Sequence, residues 1–159
     1  MCLTPDGKVL YALAVNGALQ KFDAAGWKLD KIFQVRGGNS DLQATDDGRV
    51  FLNSSDGQWT NIKLFDVTKP DPPRPWAGIY QSNFIRLSPD QRRLYVSCWH
   101  LSPSNIASYY VPPEKSEAKG RQCGAVSLDA NFGAYGNIVV SPDGSFLFCD
   151  AGKILLLGK

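Results

Sequence analysis

Val140-Ser141-Pro142-Asp143-Gly144-Ser145-Phe146-Leu147-Phe148 reads as the end of one strand, a tight turn and the start of the next. Proline presets φ near −65° early in the turn, aspartate can bond its own backbone, and glycine accepts φ > 0. The aromatic and apolar run that follows suits a pleated strand. Three other stretches share this grammar: Leu3-Thr4-Pro5-Asp6-Gly7-Lys8-Val9-Leu10-Tyr11, Ala44-Thr45-Asp46-Asp47-Gly48-Arg49-Val50-Phe51-Leu52 and Leu87-Ser88-Pro89-Asp90-Gln91-Arg92-Arg93-Leu94-Tyr95. Gln91 stands where the others have glycine, so a looser turn or one of another type is expected there.

Working outward, Asn16-Gly17, Asp56-Gly57 and Ala151-Gly152 supply the next reversals. Third strands are predicted at 19–23, 62–66, 106–110 and 154–157. Fourth strands are predicted at 32–35, 76–79 and 124–128, with none in the last unit. The turn aspartates Asp6, Asp47, Asp90 and Asp143 lie 41, 43 and 53 residues apart. A period of about 40–45 residues is the length of a four-stranded propeller blade. Pro112-Pro113 and the charged residues up to Gly120 read as an exposed insertion that lengthens the third interval. Two packed sheets of a sandwich are the alternative architecture, and the even spacing favours the propeller.

The repeats resemble the propeller families with this proline-aspartate-glycine turn, namely WD-repeat and lactonase-like or quinoprotein-like propellers. Third strands here end Lys21-Phe22-Asp23 and Leu64-Phe65-Asp66 where WD repeats end in Trp-Asp, and no Gly-His pair opens the units. The expected fold is all-β, one region spanning residues 1–159 with blades near 1–36, 37–79, 80–128 and 129–159. It starts inside a first strand and stops after a third, so the expectation is an arc of a larger ring. A half-ring that dimerises and a closed four-bladed ring are the alternatives.

Composition narrows the function classes. The chain has 17 Lys and Arg against 15 acids and one histidine, with 43% hydrophobic residues. A net charge of +2 without a basic cluster argues against nucleic acid as a partner. No apolar run reaches the roughly 18 residues of a membrane span, and no signal peptide opens the chain. A cytoplasmic location is therefore favoured for the chain as given. Cys2, Cys98, Cys123 and Cys149 form no C-x-x-C pair, and free thiols are favoured over disulfides. Asn53-Ser54-Ser55 is a formal glycosylation sequon without supporting context.

In a propeller, loops joining fourth to next first strands open on the same rim as those joining second to third strands. Asn39 and Asp41, Tyr80 and Asn83, and Phe132 and Tyr135 belong to loops of the first kind. Trp59, Trp99 and His100 belong to the second. Such a fold is expected to gather aromatic, amide and glycine residues on one rim, a composition suited to recognition. Cys98 and His100 could share a strand face, but two ligands fall short of the three or four that zinc takes. No residue forms a catalytic or metal signature, and no cofactor is expected. The first reading is a non-enzymatic scaffold binding a protein, or the remaining blades of a ring, through this rim. The alternatives are part of a lactonase-like or quinoprotein-like enzyme and a small-ligand or peptide sensor.

Overall fold

The computed structural model describes all residues except 37, 55–56, 70, 81, 99–104, 116–118, 128–135, 151 and 158–159; for residues 82, 83, 126 and 127 it describes the backbone. Among the described residues, fifteen strands form four antiparallel meanders. Blade 1 comprises β1 (Cys2–Leu3), β2 (Val9–Leu13), β3 (Ala18–Asp23) and β4 (Lys28–Gln34). Blade 2 comprises β5 (Asn39–Ala44), β6 (Arg49–Ser54), β7 (Trp59–Asp66) and β8 (Arg74–Tyr80). Blade 3 comprises β9 (Ser82–Leu87), β10 (Arg93–Cys98), β11 (Asn105–Tyr110) and β12 (Arg121–Ser127). Blade 4 comprises β13 (Ile138–Val140), β14 (Phe146–Cys149) and β15 (Ile154–Leu156). Within each sheet the strands pair in chain order, and the first strands of successive sheets lie against one another. Among the described residues no helix is long and apolar enough to cross a membrane.

Stacking explains the burial. Strand β6 is buried at every position, and β10 nearly so, because a sheet covers each of their faces. Strand β14 alternates instead, with Leu147 and Cys149 packed toward blade 3 while Phe146 and Phe148 are exposed. Between blades 1 and 2 the core is built from Tyr11, Leu19, Val35, Leu42, Val50, Leu52 and Phe65. Between blades 2 and 3 it is built around Phe51, Ile62, Trp76, Ile85, Leu94 and Val96.

The four turns are one device. A threonine or serine hydroxyl donates to the aspartate two residues on: Thr4 to Asp6 (2.7 Å), Thr45 to Asp47, Ser88 to Asp90 (2.5 Å) and Ser141 to Asp143 (2.6 Å). The same hydroxyl accepts the backbone N–H of Val9, Arg49, Arg93 or Phe146, which fixes the start of the second strand. The turn at Gln91 departs from the expectation of a looser type. Gln91 holds φ 61°, close to Gly7 at 73° and Gly144 at 72°, and its N–H bonds the Ser88 carbonyl at 2.8 Å as in the other copies. Its amide is the physical reason: the side chain donates to the Asp46 carboxylate and accepts the Asp46 N–H (3.0 Å), tying blade 3 to blade 2. Asp46 repeats the stitch toward blade 1, accepting the Asp6 N–H at 2.9 Å.

These carboxylates set an acid limit on stability. The Thr4 hydroxyl and Lys8 N–H hold Asp6 down to about 2, and the Ser141 hydroxyl and Ser145 N–H do the same for Asp143. Asp47 and Asp90 are raised by burial but lowered more by their hydroxyl and arginine neighbours, so both end below the usual carboxylate range. A depressed folded-state pKa contributes stability above the unfolded value of about 4, lost as pH falls through the folded value. The urea midpoint is therefore expected to hold above pH 4 and fall steadily toward pH 2; a flat midpoint across that window contradicts this.

The segment after β11 is exposed as expected but is anchored. The Pro112 carbonyl accepts from Arg49 Nη1 (2.7 Å), Lys115 pairs with Asp66 (3.1 Å), and Gly120 N–H donates to the Trp76 carbonyl (2.7 Å). It straps blade 3 to blade 2. The sequon asparagine, Asn53, is fully buried in β6, which closes it to a glycosyl transfer enzyme in the folded chain.

Candidate functional site

Strand ends bring Trp59 and Tyr80 together. Asn39 and Asp41 lie inside β5, Tyr80 is the last residue of β8, and Asn83 lies within β9. Trp59 is the first residue of β7. Trp99, His100, Phe132 and Tyr135 lie outside the described residues.

Where blades 2 and 3 splay, a groove of about 530 Å³ opens at this rim. Trp59, Ile79 and Tyr80 form one wall, and Cys98, Asn105, Tyr109 and Gln122 the other. Trp59 is 76% exposed and meets the Tyr80 ring edge to face, with centroids 4.3 Å apart. The Tyr80 hydroxyl accepts from Gln58 Nε2 at 2.9 Å, which holds the phenol at the groove mouth. Deeper in, the Tyr109 hydroxyl donates to the Gly78 carbonyl (3.1 Å), pinning the two blades together. Among the described residues the Asn105 side-chain oxygen, which is buried, has no hydrogen-bond partner.

None of the described lining residues carries a charge. Burial pushes the Cys98 thiol up to about 11 and the Tyr109 phenol up to about 12. Both stay protonated at neutral pH, so the thiol is no nucleophile and neither group shuttles protons there. The groove can stack, bury apolar groups and exchange hydrogen bonds with amides. All four cysteines are free thiols, with Cys98 and Cys149 buried. Among the described residues no cluster of three or more His, Cys, Asp or Glu is placed to hold a metal ion.

Asp41 and Asn39 sit elsewhere on the rim, toward the ring axis. Asp41 Oδ2 accepts from Ile85 N–H (3.0 Å) and Arg86 Nη1 (2.6 Å), and Arg86 Nη2 reaches Asn137 Oδ1 at 2.6 Å. One arginine thus joins blades 2, 3 and 4. Asn39 Nδ2 donates to the Arg36 carbonyl at 3.1 Å. The spacing of the repeats carried no sign of Asn105, Tyr109 or Gln122, because each reaches the groove only through the stacking of two sheets. Their strand parity on β11 and β12 could have placed them on one face.

No protein-family model matches the chain, and no curated protein matches it by sequence. Solved structures do match. Hydrazine synthase of Kuenenia stuttgartiensis superposes with a TM-score of 0.64 at 19% identity, over 92% of this chain and 41% of that one. The chain has a propeller-type fold. A proposed 6-phosphogluconolactonase of Bacteroides fragilis matches with a TM-score of 0.57 at 22% identity, over 91% of this chain and 45% of its own. One of Bacteroides uniformis matches with a TM-score of 0.59 at 19% identity, over 92% and 45%. This propeller arc therefore spans less than half the length of each of these structures. At such identities the likeness concerns architecture: sheets stacked around an axis, each a meander.

Proposed function

We propose that this chain is a binding module whose rim groove between blades 2 and 3 receives an uncharged segment of a partner protein. The observation that carries the reading is the exposed Trp59–Tyr80 pair over a groove whose described lining residues are uncharged. Aromatic anchors beside a desolvated cleft are the usual centres of binding energy. An apolar side chain of the partner fits against Tyr80.

Selection from a random peptide library displayed on phage tests this. Peptides enriched on the wild-type chain are expected to lose about 30-fold in affinity on the Trp59→Ala/Tyr80→Ala variant. The thermal midpoint should shift little, because Trp59 is mostly exposed. Equal affinity for both chains would remove the groove from the function.

A second reading follows from the likeness to the Bacteroides structures: this chain forms part of a lactonase-like enzyme whose reacting groups lie mainly in other blades. That reading expects a longer protein containing this chain to hydrolyse 6-phosphogluconolactone above the spontaneous rate; no acceleration by the longer protein would leave the binding reading.

A further inference from the structure

Both ends of the stack present an open apolar face. On the second strand of each sheet one aromatic residue faces the blade that follows: Tyr11 meets blade 2, Phe51 meets blade 3 and Tyr95 meets blade 4. They are 1%, 0% and 4% exposed. Phe148 holds the same register position on β14, paired with Val139 on β13 and Ile154 on β15, yet it is 41% exposed. Phe146 and Leu156, paired with each other, extend this face, and both are exposed.

Blade 1 presents the other side of the same design. The second-strand residues that face the preceding blade are Val50, Leu94 and Leu147, all fully buried. Their counterpart on β2 is Leu10, which pairs with Leu3 on β1 and Phe22 on β3, while Phe22 pairs with Leu29 on β4. Ile32 joins the same face through its pairing with Gln20, and Leu3, Leu29 and Ile32 are exposed. Eight of the thirteen large apolar side chains exposed among the described residues thus lie on these two end faces. Stacked repeats that end in water carry polar outer faces, and an apolar patch of this kind marks an interface.

The occupant follows from the repeat. Every blade boundary within the chain joins a face of the Tyr11 kind to a face of the Val50 kind, and the two open faces are one of each. They complement each other rather than themselves, so a contact between them runs head to tail. Length agrees: the chain covers 41% and 45% of the propeller-type structures it matches, so two copies supply about as much chain as one of them. We propose that two copies of this chain stack blade 4 of each on blade 1 of the other and close into one ring. Phe148 then covers Leu10 and Phe22 of the second copy, the positions that Val50 and Phe65 hold opposite Tyr11. The rim groove between blades 2 and 3 takes no part in this contact.

Sedimentation velocity of the 159-residue chain over a wide range of concentration tests this, with a monomer and a two-chain species in mass-action exchange as the expected result. Two variants identify the faces: Ile154→Lys/Leu156→Lys on blade 4, and Leu29→Glu/Ile32→Glu on blade 1. All four positions are exposed, so the circular dichroism spectrum and the thermal midpoint of each monomer should stay near those of the unaltered chain. Each variant alone sets unpaired charges against an apolar face and should dimerise at least about 100-fold more weakly. Mixed one to one, the two should recover a two-chain species holding one copy of each. One boundary is then unaltered, and the other pairs lysine with glutamate. An unaltered chain that stays monomeric at every concentration, assemblies that keep growing beyond two chains, a variant that dimerises as well as the unaltered chain, or a mixture that stays monomeric would each overturn the proposal.

Discussion

Phe51→Ala is expected to cost about 3–5 kcal/mol, the largest loss of any single substitution considered. Phe51 is fully buried on the face of β6 that meets blade 3, and its ring packs edge to face on Trp76 with centroids 4.8 Å apart. Its removal leaves a void walled by Ile62, Leu64, Ile85 and Leu94. Those residues belong to strands of two paired sheets, so the walls cannot collapse without breaking ladder hydrogen bonds. Against a total stability of about 5–15 kcal/mol, this is enough to leave the chain marginal. Urea titration gives the number. Phe51→Leu, which refills most of the volume, should lose far less, and equal losses in the two variants would show that the ring is not a packing element.

Asp41→Ala is expected to cost about 2–3 kcal/mol by a different mechanism. It strips the acceptor from the Ile85 N–H and takes the counter-charge from Arg86, whose side chain is 23% exposed. Among the described residues Arg86 then keeps its hydrogen bonds to Asn137 and the Ile85 carbonyl and its place over the Phe84 ring. Because the arginine spans three blades, the loss should exceed that of an exposed ion pair such as Lys8–Asp6. Arg86→Ala and the double variant complete a cycle, with an expected coupling of about 1–2 kcal/mol. Additive losses would mean that the two side chains act independently.

Much of the fold was legible in residues close together in sequence. The turn after each first strand needs only a hydroxyl, an aspartate and a residue tolerant of φ > 0, and these recur at Thr4, Thr45, Ser88 and Ser141. Strands β3, β7, β11 and β15 begin and end within three residues of the bounds expected for the third strands. What stayed hidden depends on how neighbouring sheets stack. Gln91 looked like a weakened turn because its partner, Asp46, lies 45 residues away on another blade. Asp41 read as a rim ligand, and the structure shows the bonds it makes to β9. Pro112 read as part of a free loop, whereas its carbonyl is a landing point for Arg49. The groove has the same origin: Trp59 and Tyr80 were visible as aromatics, but a cleft exists only where two twisted sheets diverge.

The hydroxyl clip at each turn has a consequence for the order of folding. It closes within five residues, and every sheet pairs only strands adjacent in sequence, so each blade needs few long-range contacts to form. The stitches from Asp46 to Asp6, Gln91 to Asp46 and Arg86 to Asp41 join residues 40 to 45 apart and can close only once two blades exist. Blades are therefore expected to condense one after another, with the stitches locking afterwards. Lesions in the clips should slow refolding, whereas lesions in the stitches should chiefly hasten unfolding.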